Sequence, residues 1–283
     1  VRGSCENPEA ESADLTFELV TSRVPFGVYQ PSSLHVTGSL DELSEVGLAM
    51  MRYQQGDYVN AAELFESLPR LAGSNSLALF EANSQLLAER YHESIASYEA
   101  IGVANDLNSA AAFNNMGVAY FNQDTGLGLD EFSQAIELAA DQGADGVEAL
   151  ALINRSRYFL LRSDWEQASA DCSSLLTLNG QSALPYVCKA SYNFIYYRFQ
   201  PPGVLPLREI NRNLVEAEKY ADAPALLHYL RGDMNKSHFW QRKQDAVDAY
   251  HSYLTEMQYQ ACLQMDRTLI STAREQIQNL TRP

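Results

Sequence analysis

This sequence repeats itself, and the repeat limits what the chain can fold into more than any single motif does. Gly56-Asp57-Tyr58-Val59-Asn60-Ala61 leads into Phe65 and Leu68-Pro69, and Arg90-Tyr91-His92-Glu93-Ser94 leads into Tyr98 and Ile101. Asp164-Trp165-Glu166-Gln167-Ala168 leads into Cys172 and Leu175, and Ala246 leads into Tyr250 and Tyr253. With the bulky position as a ruler, Phe65, Tyr98, Phe132, Cys172, Leu214 and Tyr250 stand 33, 34, 40, 42 and 36 residues apart. Ahead of each runs a helical stretch with a small residue: Ala49, Ala82, Gly117, Ser156, Ala190 and Gly232. A period of this size is that of stacked helix pairs, with insertions lengthening the later units. One such pair is amphipathic and cannot bury its own apolar face, so it needs a neighbour on each side. The small residues let two helices approach closely, and the bulky ones fill the space between pairs.

Ala112-Phe113-Asn114-Asn115-Met116-Gly117-Val118-Ala119-Tyr120 resembles the first helix of the tetratricopeptide consensus. The same unit continues through Gly126-Leu127-Gly128-Leu129-Asp130 to Ala139-Ala140-Asp141-Gln142-Gly143, a stretch similar to the related Sel1-like repeat. The resemblance covers about residues 42–256 and implies an all-α fold, a right-handed α-solenoid of about six tetratricopeptide-like helix pairs. Residues 1–39 read as an extended or flexible N-terminal segment, 40–257 as the repeat array and 258–283 as a C-terminal capping helix. The cap carries Ala261, Cys262, Met265, Leu269, Ile270, Ala273, Ile277 and Leu280 at helical spacing. Leu15-Thr16-Phe17-Glu18-Leu19-Val20 alternates as an extended chain does, while Pro25 and Pro31 weaken a strand assignment. Phe199-Gln200-Pro201-Pro202-Gly203 must interrupt a helix, and Pro206 suits a first helical turn.

The formal charge is −16, and it is unevenly placed: residues 1–145 hold 22 acids and 5 bases, the remainder 14 and 15. An acidic first half argues against nucleic acid or an anionic membrane surface and favours a neutral to basic protein partner. No run of about 18 apolar residues is present to form a transmembrane helix. Gly3-Ser4-Cys5 resembles the lipid-attachment site of bacterial lipoproteins, although Arg2 stands where that family has an apolar residue. Cys5 is thus a candidate lipidation site, and localisation is open between the cytoplasm and an extracytoplasmic lipoprotein. Cys172 and Cys188 fall on adjacent helices; buried free thiols are expected there, with a bridge as the alternative.

No catalytic signature is present: no Gly-x-Ser-x-Gly elbow, phosphate-cradling loop or His-Glu-x-x-His pair occurs, and five scattered histidines suggest no metal. No cofactor, metal or enzymatic activity is expected. Arg231-Gly232-Asp233 spells an adhesion tripeptide, but Gly232 holds a close-packing position in a helix. The binding expectation rests on the first helices of the pairs, which line the inner face in tetratricopeptide proteins. There an Asn amide offers both a donor and an acceptor to a peptide backbone. The repeat register puts Asn115 and Asn154 at equivalent inward positions, with Asn83, Asn114, Asn122 and Arg157 nearby and Tyr53 and Phe80 as apolar contacts. The Lys/Asn/Arg carboxylate clamp of chaperone-binding relatives is missing, since Val46 and Met50 occupy its first positions. The expected function is a non-catalytic scaffold that takes a peptide or protein segment in its concave groove. The alternative is a structural subunit of a larger assembly, contacting partners through its edges or convex face. In that case the groove is empty or filled by residues 15–36 of the chain itself.

Overall fold

The computed structural model describes residues 13–19, 27–68, 75–102, 107–123, 127–178, 180–198, 207–220, 224–236, 242–258 and 264–282. Cys5, the Phe199–Gly203 interruption, Pro206 and Cys262 lie outside them. Helices dominate, and contacts divide the chain into two compact units, Val1–Val147 and Glu148–Pro283.

The first unit contains an antiparallel hairpin of β1 (Ala13–Glu18) and β2 (Ser33–Gly38), in register from Ala13 opposite Gly38 to Glu18 opposite Ser33. The alternation in Leu15–Glu18 is therefore a strand, and Pro31 stands just ahead of β2, where its missing N–H costs no ladder bond. Phe17, Leu34 and Val36 are buried, with the Phe17 ring against Gly47 of α1 (Leu40–Gln55). Ser39 opens α1 through a capping box: its backbone N–H donates to Glu42 Oε2 at 2.8 Å, and Glu42 N–H donates back to Ser39 Oγ. These bonds hold the Glu42 carboxyl below the usual range. There follow α2 (Tyr58–Ser67), α3 (Asn75–Leu87), α4 (Tyr91–Gly102), α5 (Leu107–Gln123) and α6 (Leu129–Gln142), each packed on the next from α2 to α6. The second unit is built mainly from α7 (Asp145–Leu161), α8 (Trp165–Leu178), α9 (Leu184–Arg198), α10 (Leu207–Ala217), α11 (Leu226–Lys236), α12 (Lys243–Met257) and α13 (Gln264–Thr281).

The small and bulky residues of the repeat lie in the core, and the glycines among them meet aromatic rings. All twelve are buried. A Cβ on Gly117 would stand 2.6 Å from the Phe132 ring, and one on Gly232 would stand 2.6 Å from the Tyr250 ring. Gly128, ahead of α6, lies against the Gly117 carbonyl with φ +102°, a conformation and a gap that only glycine fits. Closing the second unit, Leu269, Ile270, Ile277 and Leu280 pack round buried Ala273 against Tyr250, Tyr253 and Met257.

One expectation is overturned. Cys172 and Cys188 are bridged rather than free, because α8 and α9 run side by side and bring their Cα atoms to 5.5 Å. Ser156, the small residue of α7, lies with its Oγ 3.4 Å from Cys172 Sγ, 3.3 Å from Cys188 Sγ and 3.4 Å from the Ala168 carbonyl, which accepts its proton. Arg155 beside it makes a two-pronged pair with buried Asp171, Nη2 to Oδ1 at 2.7 Å and Nε to Oδ2 at 3.0 Å. Burial pushes the Asp171 carboxyl up despite this partner.

Candidate functional site

Three asparagines from two neighbouring first helices converge in the first unit, and what they grip is the chain itself. Residues 27–31, between the strands of the hairpin, lie across α3 and α5. Asn115 Oδ1 accepts the Tyr29 backbone N–H at 2.7 Å, and Asn115 Nδ2 donates to the Tyr29 carbonyl at 2.8 Å. That carbonyl also accepts from Asn83 Nδ2 at 3.1 Å, so both its lone pairs are used. Asn114 Nδ2 donates to the Gly27 carbonyl at 2.9 Å, and the Tyr53 hydroxyl donates to the Gln30 side-chain oxygen at 3.1 Å.

The side chains are fixed by one another before they reach the segment. Asn115 Nδ2 donates to Asn83 Oδ1 at 2.8 Å, and Asn114 Nδ2 to Asn115 Oδ1 at 2.9 Å. The Tyr98 hydroxyl adds a bond to Asn83 Oδ1 at 2.7 Å. All three asparagines are fully buried, at 0% exposure. Polar groups buried this deeply are nearly always hydrogen-bonded, and the backbone of residues 27–29 supplies several of the partners. Burial raises the Tyr53 and Tyr98 phenols well above their ordinary range, so both stay neutral and able to donate.

Asn83, Asn114, Asn115 and Tyr53 thus meet on residues 27–30. Phe80 does not offer it a surface: it is fully buried, edge-on to the Tyr53 ring at 5.3 Å, and acts as a support. Asn122 turns away, its Nδ2 donating to the Val118 carbonyl of its own helix at 2.8 Å. Asn154 and Arg157 lie on α7 in the second unit, the first buried and the second half-buried. Val46 and Met50 are fully buried in the core and present nothing to a ligand. Sequence reasoning missed the Tyr98 hydroxyl. Tyr98 reads as a packing residue, and only the fold shows that its polar end reaches Asn83.

A second polar pair sits at the matching repeat positions of the other unit. Asp233 follows Gly232 as Asn83 follows Ala82, and it accepts from the Tyr250 hydroxyl and from Lys236 Nζ. Arg231 is tied to Glu218 and Asn211, so the Arg-Gly-Asp tripeptide is consumed by packing. Among the described residues no group of three or more His, Cys, Asp or Glu is placed to hold a metal ion, and no helix is long and apolar enough to cross a membrane.

With that geometry in view, likeness to known structures decides the architecture. The crystal structure of PilW, a widely conserved type IV pilus biogenesis factor, matches 82% of this chain and 100% of its own at 15% identity and a TM-score of 0.51. The fold is tetratricopeptide-like. A tetratricopeptide repeat protein from Parabacteroides merdae (12% identity, 85% of this chain and 99% of that one, TM-score 0.44) is also similar. So is the TPR2AB domain of yeast Sti1 in complex with pHSP90 (11% identity, 85% and 98%, TM-score 0.34). No family model matches the sequence, and no curated protein matches it either.

Proposed function

We propose that the chain is a non-catalytic scaffold that holds an extended protein segment in the groove formed by α1, α3 and α5, with Asn83, Asn114 and Asn115 as its backbone readers. The observation that carries this is the hydrogen bonding of Asn115 to both the N–H and the carbonyl of Tyr29. A side chain that completes one residue's backbone pair, as a neighbouring strand would, recognises an extended segment without reading its side chain. The partner is a protein or peptide, neutral to basic given the acidity of residues 1–145. The test compares material retained from a lysate of the source organism by the wild type and by Asn115→Ala, at equal helicity by circular dichroism. Loss of a partner in the variant supports the groove. Equal retention contradicts it.

A specific pattern favours the second reading, in which the groove is closed by its own segment and partners meet the edge of the array. Leu40, Leu48 and Met51 are exposed along one side of α1, joined by exposed Val59 of α2. In that case Leu48→Glu/Met51→Glu abolishes partner retention and Asn115→Ala does not. Cys5 is proposed as a lipidation site on the sequence alone, and mass spectrometry of the natural protein tests it.

A further inference from the structure

The cradle's occupant belongs to the molecule, and it is tethered on both sides. Residues 27–31 lie between β1 and β2, and the ladder extends toward them through Leu19 N–H donating to the Ser32 carbonyl at 2.9 Å. Their fit is specific in several respects. Gly27 is buried at φ +95°, where a side chain is strained. Val28 is 6% exposed, an aliphatic residue enclosed by the fold. Tyr29 is bound through its backbone alone in the cradle's hydrogen bonds, and Gln30 presents its side-chain oxygen to Tyr53. Pro31 is buried and ends the segment.

On the reading of this groove as a peptide site, we infer that residues 27–31 are a built-in competitor whose contacts state the ligand class. That class is an uncharged segment with glycine first, an aliphatic residue second, a residue held through its backbone third, a side-chain amide fourth and proline fifth. A tethered occupant acts at an effective concentration on the order of millimolar, so it outcompetes a free peptide at micromolar concentration. The groove is then available only in the fraction of molecules whose segment has left, and apparent affinity falls by that fraction. Weakening the segment without touching the cradle must raise affinity for a ligand in trans.

The experiment uses the full chain and a fluorescein-labelled nonapeptide with the sequence of residues 25–33, followed by fluorescence polarisation. Two openers are compared with the wild type: Tyr29→Pro, which removes the N–H given to Asn115, and Gly27→Val, which is strained at the observed φ. Circular dichroism checks that helicity is kept, and having two openers covers the misfolding of either. The expected result is at least about tenfold tighter binding by the openers than by the wild type. Adding Asn115→Ala should abolish the binding, and a peptide with the same residues scrambled should not bind. Equal affinity of wild type and openers overturns the competitor and leaves the peptide groove standing. Equal binding of the scrambled peptide overturns the ligand class. Failure of every variant to bind overturns the groove reading and this inference with it.

Discussion

At the scale of single residues the cradle makes sharp demands, because its polar atoms are buried and already paired. Asn115→Ala removes four hydrogen bonds, two of them to Tyr29. Leaving buried donors and acceptors unpaired costs about 1–3 kcal/mol each where water cannot enter, so a loss of about 3 kcal/mol in urea unfolding is expected. Asn115→Asp should cost more than alanine although it is the same size, since an oxygen would replace the Nδ2 that faces the Tyr29 carbonyl and Asn83 Oδ1. Near-wild-type stability for the aspartate variant would contradict these hydrogen-bond directions. Gly117→Ala should cost about 1–3 kcal/mol by driving a methyl into Phe132, with Phe132→Leu relieving part of it. The repeat register marks Asn115 as inward-facing, with Asn83 and Asn114 expected near it, and these three meet on residues 27–29. Asn122 shares nearly the same side, but it bonds back to its own helix instead of to the segment. The role of Phe80 is not legible, because register tells the side of a helix and not the depth of burial.

Between elements, the disulfide is the clearest case of information the sequence withholds. A separation of 16 residues places Cys172 and Cys188 on neighbouring helices. Whether two thiols meet there depends on the rotation and offset of α8 against α9, which periodicity does not determine. Closing a loop of that size should stabilise the fold by about 3 kcal/mol through the unfolded chain. Cys188→Ser should therefore lower stability by that amount under oxidising conditions, and dithiothreitol should reduce the wild type to the level of the variant. Unchanged unfolding of the wild type on reduction would show that the bridge contributes nothing. The hairpin is half legible. Alternation in Leu15–Glu18 marks an extended chain, yet its partner strand and register follow only from the burial of Phe17, Leu34 and Val36 over α1. Loosening that packing with Leu34→Ala should cost about 2–5 kcal/mol, as for other enclosed leucines.

Over the whole molecule the repeat makes the tetratricopeptide-like class readable, since the small and bulky residues that recur along it are all buried. The division after Val147 is not readable, because the pattern runs on through α7 without a linker. Both units place neutral tyrosines in the core, and that sets a limit on the alkaline side. Tyr53, Tyr98 and Tyr250 have phenols raised by burial, with the Asp233 carboxylate adding to the effect at Tyr250. In the unfolded chain these phenols lose protons near pH ~10, while in the folded protein they keep them. Above that pH the unfolded state binds fewer protons, so this contribution to stability is intact below pH ~10 and falls as pH rises beyond it. The fall should approach about 1.4 kcal/mol per pH unit for each such tyrosine. Tyr98→Phe should shallow the slope. An alkaline profile that stays flat two pH units beyond that point would show that these hydroxyls are not buried.

The hold of Asn115 on the backbone of Tyr29 is the contact on which the proposed groove rests, and amide hydrogen exchange reads it directly. The Tyr29 N–H lies in a loop outside any helix or ladder, and the Asn115 side chain accepts it. Protection of that amide to the level of the α5 backbone, lost in Asn115→Ala while α5 itself stays protected, is the predicted result. Exchange of the Tyr29 amide in the wild type at the rate of an unstructured peptide would contradict it.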